Sequence, residues 1–227
     1  MAEPPPDEAP QDYVVGSPAE ILTRALAAFE DGDLARCEDI LRQVLEQQDE
    51  LANAWHLRGL AARKADNLDR AAEYLARAVA LEPDNPRYCA DFGHVLESGG
   101  RLDAAAAALA QAAALAPSEP TIHLLLGNVL ARMGRSEAAI DSFNRSLKID
   151  PGHAETHGNL AAVLREAGEV DNAIHHAERA IGLRADYPEA LNNLALALCD
   201  AGCHAEALER LEAALALRPD DPELLNN

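Results

Sequence analysis

Lysine is nearly missing from this chain. Of its 19 basic residues only Lys64 and Lys148 are lysine, an arginine bias of the kind a GC-rich bacterial genome produces. Basic residues of either kind are scarce against 39 acidic ones, which leaves a formal charge of −20. Such a chain is repelled by a phosphate backbone or an anionic lipid surface, so neither nucleic acid nor membrane is expected as a partner. Aromatic residues make up 4% of the sequence while 48% is apolar, so the core must come from Ala, Leu and Val. That suits closely packed helices rather than a strand-rich sandwich, which draws on β-branched and aromatic residues. No apolar run approaches the roughly 18 residues a bilayer span needs. Met1–Pro10 also lacks the basic and then apolar order of a secretory leader, so a cytoplasmic protein is expected. Cysteine is limited to Cys37, Cys89, Cys199 and Cys203, read as small buried thiols in a reducing compartment. Cys199, Cys203 and His204 lie close in sequence without a fourth ligand, and no metal site is assigned to them.

What is present is a period. From Pro18 the chain divides without insertion or deletion into six blocks of 34 residues, 18–51, 52–85, 86–119, 120–153, 154–187 and 188–221, and residues 222–227 open a seventh. All nine prolines after residue 17 fall at block position 1 (Pro18, Pro86, Pro120, Pro188, Pro222) or 32 (Pro83, Pro117, Pro151, Pro219). Proline tolerates a helix start or a post-helix turn but not an interior. Position 8 carries only Ala or Gly (Ala25, Gly59, Gly93, Gly127, Ala161, Ala195). Position 20 carries Cys37 and then alanine from Ala71 to Ala207. Small residues at fixed places mark where two helix backbones approach closely. Position 15 holds Gly32, Gly100, Gly134, Gly168 and Gly202, with Asp66 in the second block, which suits the positive φ that ends a helix. Position 24 (Leu41, Leu75, Leu109, Phe143, Ala177, Leu211) supplies an apolar knob. The spacing predicts helix A over about positions 2–14 and helix B over about 18–31 of each block, hence an all-α solenoid of helix-turn-helix repeats. Residues 1–17, with four prolines and four acidic residues, are expected to be a disordered acidic, Pro-rich tail.

Trp55, Gly59, Ala71, Ala78 and Pro83 in block 52–85 resemble the tetratricopeptide repeat (TPR), whose 34-residue signature places Trp, Gly, Ala, Ala and Pro in this order. The resemblance covers residues 18–221, with departures at Cys37, Val44, Asp49 and Ala185. It implies a right-handed superhelix whose concave groove, lined by helix A, takes an extended segment of a partner protein. The groove candidates are Asn128, Asn159, Asn192, Asn193 and Asn227, together with Arg63, Lys64, Arg87, His94, Arg132 and Arg165 as a basic strip. Asn159, Asn193 and Asn227 recur at position 6, with Asn192 beside them at position 5. An amide presents one acceptor and two donors, so such a row suits the backbone of an extended peptide. The row resembles the asparagine ladder in the TPR arm of O-linked N-acetylglucosamine transferase, although Thr23, Leu57, Asp91 and Leu125 interrupt it in the earlier blocks. The family's carboxylate clamp is not expected, because Leu124 and Glu189 stand where its flanking bases belong.

The resulting expectation is a protein–protein interaction module, the substrate-recognition arm of a larger bacterial protein such as a protein glycosyltransferase, with flagellin or another surface protein as its substrate. The alternative is a stand-alone or self-associating TPR scaffold. Asn227 falls inside what should be a helix A, which suggests a truncated seventh repeat, continuation of the chain and an uncapped end open to self-association. No cofactor and no catalysis by this chain are expected. His123 and His157 occupy the position of Trp55 and read as packing residues, and His153, His175 and His176 lack the partners of a zinc hydrolase.

Overall fold

The computed structural model describes residues 16–227 and divides into two compact units, one ending at Gly99 and one running Gly100–Asn227. The described residues form thirteen α-helices and no strand. Unit 1 contains α1 (Pro18–Glu30), α2 (Leu34–Gln47), α3 (Ala52–Lys64), α4 (Leu68–Leu81) and α5 (Pro86–Ser98). Unit 2 contains α6 (Leu102–Leu115), α7 (Pro120–Arg132), α8 (Ser136–Ile149), α9 (Ala154–Glu166), α10 (Val170–Leu183), α11 (Pro188–Asp200), α12 (His204–Leu217) and the short α13 (Pro222–Asn226). Residues 1–15, where the disordered tail was expected, lie outside the described residues. Ser17, counted with that tail, instead caps α1: its side chain accepts from the Glu20 N–H while Glu20 accepts from the Ser17 N–H at 2.8 Å.

Each helix begins and ends one residue earlier in the block than the sequence predicts. At the start of α1, α5, α7 and α11 proline sits inside the first turn, where its missing N–H is one of the unsatisfied donors anyway. Within unit 1, α1 packs on α2, α2 on α3, α3 on α4 and α4 on α5; within unit 2 the same succession runs from α6 to α13. Alternate helices also touch, α1 with α3 and α3 with α5, then α7 with α9 and α9 with α11.

The close-approach positions are buried throughout. Ala25, Ala161 and Ala195 at position 8 are 1% exposed or less, and position 20 is sealed from Cys37 to Ala207. Leu41, Leu75, Leu109, Phe143 and Ala177 at position 24 are fully buried. A buried Leu or Phe side chain contributes roughly 1.5–3 kcal/mol, so this column supplies a large part of each unit's apolar stabilisation.

The turns within the helix pairs close in a repeating way. Gly32, Gly100, Gly134, Gly168 and Gly202 have φ between 71° and 81°. After Gly32, Gly134, Gly168 and Gly202 the following N–H returns to the carbonyl five residues back, as Asp33 does to Ala28 at 2.9 Å, the hydrogen bond of a Schellman ending. Asp66 takes the same conformation at φ 58°, the one non-glycine residue with positive φ among the described residues. A side chain there is strained because its Cβ crowds the carbonyl. Replacing Asp66 by Gly is expected to stabilise the protein by about 0.5–1 kcal/mol, the relief of that strain less the greater chain entropy of glycine. Thermal melting followed by circular dichroism checks it, and a lower melting temperature would contradict it.

Candidate functional site

A recurrent hydrogen bond orders the link between repeats and accounts for the histidines. The side chain at position 4 of helix A points to the carbonyl at position 32 of the preceding block. Trp55 Nε1 donates to Asp49 O at 2.7 Å, His123 Nε2 to Pro117 O at 3.0 Å and His157 Nε2 to Pro151 O at 3.2 Å. Cys89 Sγ lies 3.6 Å from Pro83 O in the same way. A half-buried ring with one polar edge needs such a partner, and a carbonyl in the link has no helical N–H to accept from. His123 and His157 are thus packing residues with a bonded edge, a role whose signal in the sequence was a donor side chain at position 4 six residues after position 32. Among the described residues no three metal-capable side chains converge. Cys37 and Cys89 are buried, whereas Cys199 and Cys203, expected to be buried too, are exposed because they flank the α11–α12 turn.

On the helix-A side of unit 1 the basic candidates are engaged by their neighbours. Lys64 Nζ donates to Phe29 O at 3.1 Å and lies 4.8 Å from the centre of the Phe29 ring. Arg63 donates to His94 Nδ1 at 3.3 Å, and Arg87 sits 3.9 Å from the Asp91 carboxylate, which also bonds His56 at 2.7 Å. His56 and Leu57, at positions 5 and 6 of helix A, are 7% and 8% exposed. His56 stacks on Tyr88 with ring centres 4.5 Å apart, which removes it from the surface. In unit 2, Arg165 pairs with Asp200 at 3.2 Å and Arg132 is exposed. The residues read from the sequence as one basic strip thus divide between the two units. Exposed pairs of this kind contribute little to stability.

The asparagines of unit 2 are drawn together more closely than spacing alone shows. Asn159 Nδ2 donates to Asn128 Oδ1 at 2.8 Å, linking α9 to α7. Asn193 Nδ2 donates to the Gly158 carbonyl at 3.1 Å, linking α11 to α9. Asn227 Nδ2 donates to Asn192 Oδ1 at 2.9 Å. Asn128, Asn159 and Asn193 are half-buried rather than fully exposed. Asn192 is 4% exposed, so it acts as an interior acceptor and not as part of a surface. Position 5 faces the neighbouring helix A, whereas positions 6 and 9 stand at the edge of that contact. Each amide bonded once keeps further hydrogen-bonding capacity, the amide N–H groups of Asn128 and the carbonyl oxygens of Asn159 and Asn193. The inter-repeat bonds fix the amide planes and leave those groups at the half-exposed edge.

Family models for the tetratricopeptide repeat match residues 52–85, 91–154 and 164–226. No curated protein sequence matches the chain. Solved structures similar to it include PilW, a type IV pilus biogenesis factor, at 19% identity over 93% of this chain and 99% of that one, with a TM-score of 0.80. Pseudomonas aeruginosa pilF is 18% identical over 92% of this chain and 95% of its own, with a TM-score of 0.77. YrrB, described as a TPR protein with an unusual peptide-binding site, is 18% identical over 82% and 96%, with a TM-score of 0.66. At these identities the likeness is one of fold. No helix among the described residues is long and apolar enough to cross a membrane. Since the repeat matches together span well over half of the sequence, and the helices begin every 34 residues as those repeats require, the chain belongs to the tetratricopeptide repeat family.

Proposed function

We propose that this protein is a protein–protein interaction module whose helix-A side in unit 2 binds an extended segment of a partner. The observation that carries the reading is the set of oriented asparagines. Asn128 and Asn159 hold each other at 2.8 Å, Asn193 is anchored to the Gly158 carbonyl, and all three keep hydrogen-bonding groups at a half-exposed edge. A row of fixed amides grips backbone N–H and C=O groups without selecting side chains, and fixing them beforehand lowers the ordering cost of binding. YrrB, a TPR protein described as having an unusual peptide-binding site, supports the same reading. Catalysis by this chain forms no part of it.

A narrower version makes the chain the recognition arm of a protein glycosyltransferase acting on a surface protein such as flagellin. It rests on the asparagine row alone, and part of that row, Asn192 of α11 with Asn227, is tied up in a mutual hydrogen bond. The broader reading therefore carries the conclusion. Replacing Asn159 and Asn193 together by alanine is expected to abolish capture of the partner by the immobilised protein. It is also expected to cost about 1–3 kcal/mol of stability, since each substitution removes one inter-repeat hydrogen bond. Calorimetry of the purified partner with the double variant checks it, and unchanged affinity would refute the asparagine grip.

A further inference from the structure

The side of unit 2 formed by its even-numbered helices carries a second feature. Between α6 and α8, with α7 beneath, the surface opens into a groove of about 500 Å³. Leu126 and Leu130 of α7 and the adjoining Met133 form its floor, and Ala106, Ala107 and Ala110 of α6 form one wall. None of the asparagines at the helix-A edge borders it.

Unit 1 shows this place filled by a charged pair. There the corresponding space between α2 and α4 is about 110 Å³. Arg58 at block position 7 forks onto Glu38 at position 21, with Nε at 2.9 and 3.0 Å from the two carboxylate oxygens, and lies 4.3 Å from the ring of Tyr74 at position 23. The same three positions in unit 2 are Leu126, Ala106 and Ser142. The charged plug is replaced by an apolar floor and two small side chains. The hydroxyl of Ser142 is turned back to the Ala138 carbonyl at 2.9 Å and offers nothing to the groove. Leucine recurs at position 7 as Leu160 and Leu194, but there position 21 of the preceding block is Ile140 and Ile174, so the small Ala106 and Ser142 are what leave this place open.

The rim is charged. Asp103 stands on the α6 side, and Arg135, Asp141 and Arg145 stand along α8. No ion pair engages any of these four among the described residues. Arg135 and Arg145 are ten residues apart, about 15 Å along the helix. In a chain of net charge −20, two unengaged guanidinium groups bracketing an apolar floor are complementary to an acidic ligand, while Asp141 between them disfavours a further acid at the centre.

We infer that this groove is a second docking surface, one that takes an extended segment of a partner protein with large aliphatic side chains between two carboxylates. At about 3.3 Å per residue, carboxylates four or five residues apart reach Arg135 and Arg145 while the aliphatic side chains drop onto Leu126 and Leu130. The test is titration of the isotope-labelled protein with the peptide acetyl-Glu-Leu-Ser-Leu-Glu-amide and with its Lys-Leu-Ser-Leu-Lys counterpart, followed by amide NMR shifts. The acidic peptide is expected to shift Ala106, Ala110, Leu126 and Ser142 in a saturable way, and the basic one to bind at least about threefold more weakly. Arg135→Glu with Arg145→Glu, two surface changes, is expected to invert that order. Building the plug of unit 1 into unit 2, with Ala106→Glu, Leu126→Arg and Ser142→Tyr, is expected to remove both responses. Equal binding of the two peptides, or shifts confined to Asn128, Asn159 and Asn193, would overturn the assignment. So would a dimer in sedimentation that Arg135→Glu with Arg145→Glu dissociates, which would make a second copy the occupant.

Discussion

Replacing Gly127 by leucine is expected to destabilise the protein by about 3 kcal/mol, a fall of roughly 6–12 °C in melting temperature for a chain of this size. A Cβ on Gly127 would lie 2.5 Å from Phe143 Cε1, 2.6 Å from Cδ1 and 2.9 Å from Cζ, and that ring is 0% exposed and has nowhere to go. The pairing is reciprocal at its two extremes, while leucine at position 24 faces either glycine (Gly59, Gly93) or alanine (Ala25, Ala195). Where position 24 is Phe143, position 8 is glycine; where position 24 is Ala177, position 8 is alanine. Gly127→Ala is expected to cost less, because alanine's helix propensity offsets about 1 kcal/mol of the crowding. Combining Gly127→Ala with Phe143→Leu is expected to recover most of the loss, since the flat ring that meets the new methyl group is gone and a branched side chain can turn aside. A melting curve for the Gly127→Leu variant that overlays the wild type would mean that α7 and α8 do not cross at this point.

Acid is expected to loosen the α9–α10 pair through two histidines. His157 Nε2 faces the Pro151 carbonyl, which only accepts, so the proton sits on that nitrogen and Nδ1 of His157 is an acceptor. His176 Nδ1, 2.8 Å away, must then be the donor. Protonating His157 would set two N–H groups against each other. Burial first, then the proximity of His157 and His175, push His176 down to about 4. Burial also lowers His157, against the Pro151 carbonyl that favours its charged form, while Arg179, His175 and His153 lower it further. Because both groups titrate lower in the folded state than in the unfolded chain, their contribution is fully present above the unfolded value near 6.5 and is lost as pH falls through the folded value. The expected result is a loss on the order of 1–3 kcal/mol between about pH 6.5 and 4, discounted for the partial exposure of His176. His176→Asn should flatten that part of the profile relative to wild type in urea titrations at successive pH values. A parallel profile for the variant would remove the histidine pair as the cause.

Much of the molecule could be read from residue order. The turns at Gly32 and Gly134 and the small crossing points at Ala71 and Ala139 lie where the 34-residue spacing puts them, and the helix starts at Pro18, Pro86, Pro120 and Pro188 lie within one residue of it. Asp66 was visible as the exception in the glycine column, and the structure shows that it takes the glycine conformation regardless. The candidate face was legible only in outline. Block position put Asn192 in the groove, yet it is buried, as is His56 at the same position, because position 5 of one helix A meets the next. The basic residues were legible as charges but not as partners: Lys64 held by Phe29, and Arg165 held by Asp200, depend on which side chain the adjacent repeat offers.

The division has a physical cause. Helix ends, turns and crossing points are set by local backbone chemistry that recurs with every repeat, so the sequence was sufficient to determine the all-helical fold and the burial of its small positions. The bonding of Asn159 to Asn128, the hydrogen bond between His157 and His176, and the contrast between the Arg58–Glu38 plug and the open groove over Leu126 and Leu130 were decided only in three dimensions. Each depends on pairs of side chains from different helices meeting within about 3–4 Å, the range over which hydrogen bonds and packing act. A period along the chain fixes which positions can meet, and the identity and orientation of both partners fix what they do when they meet.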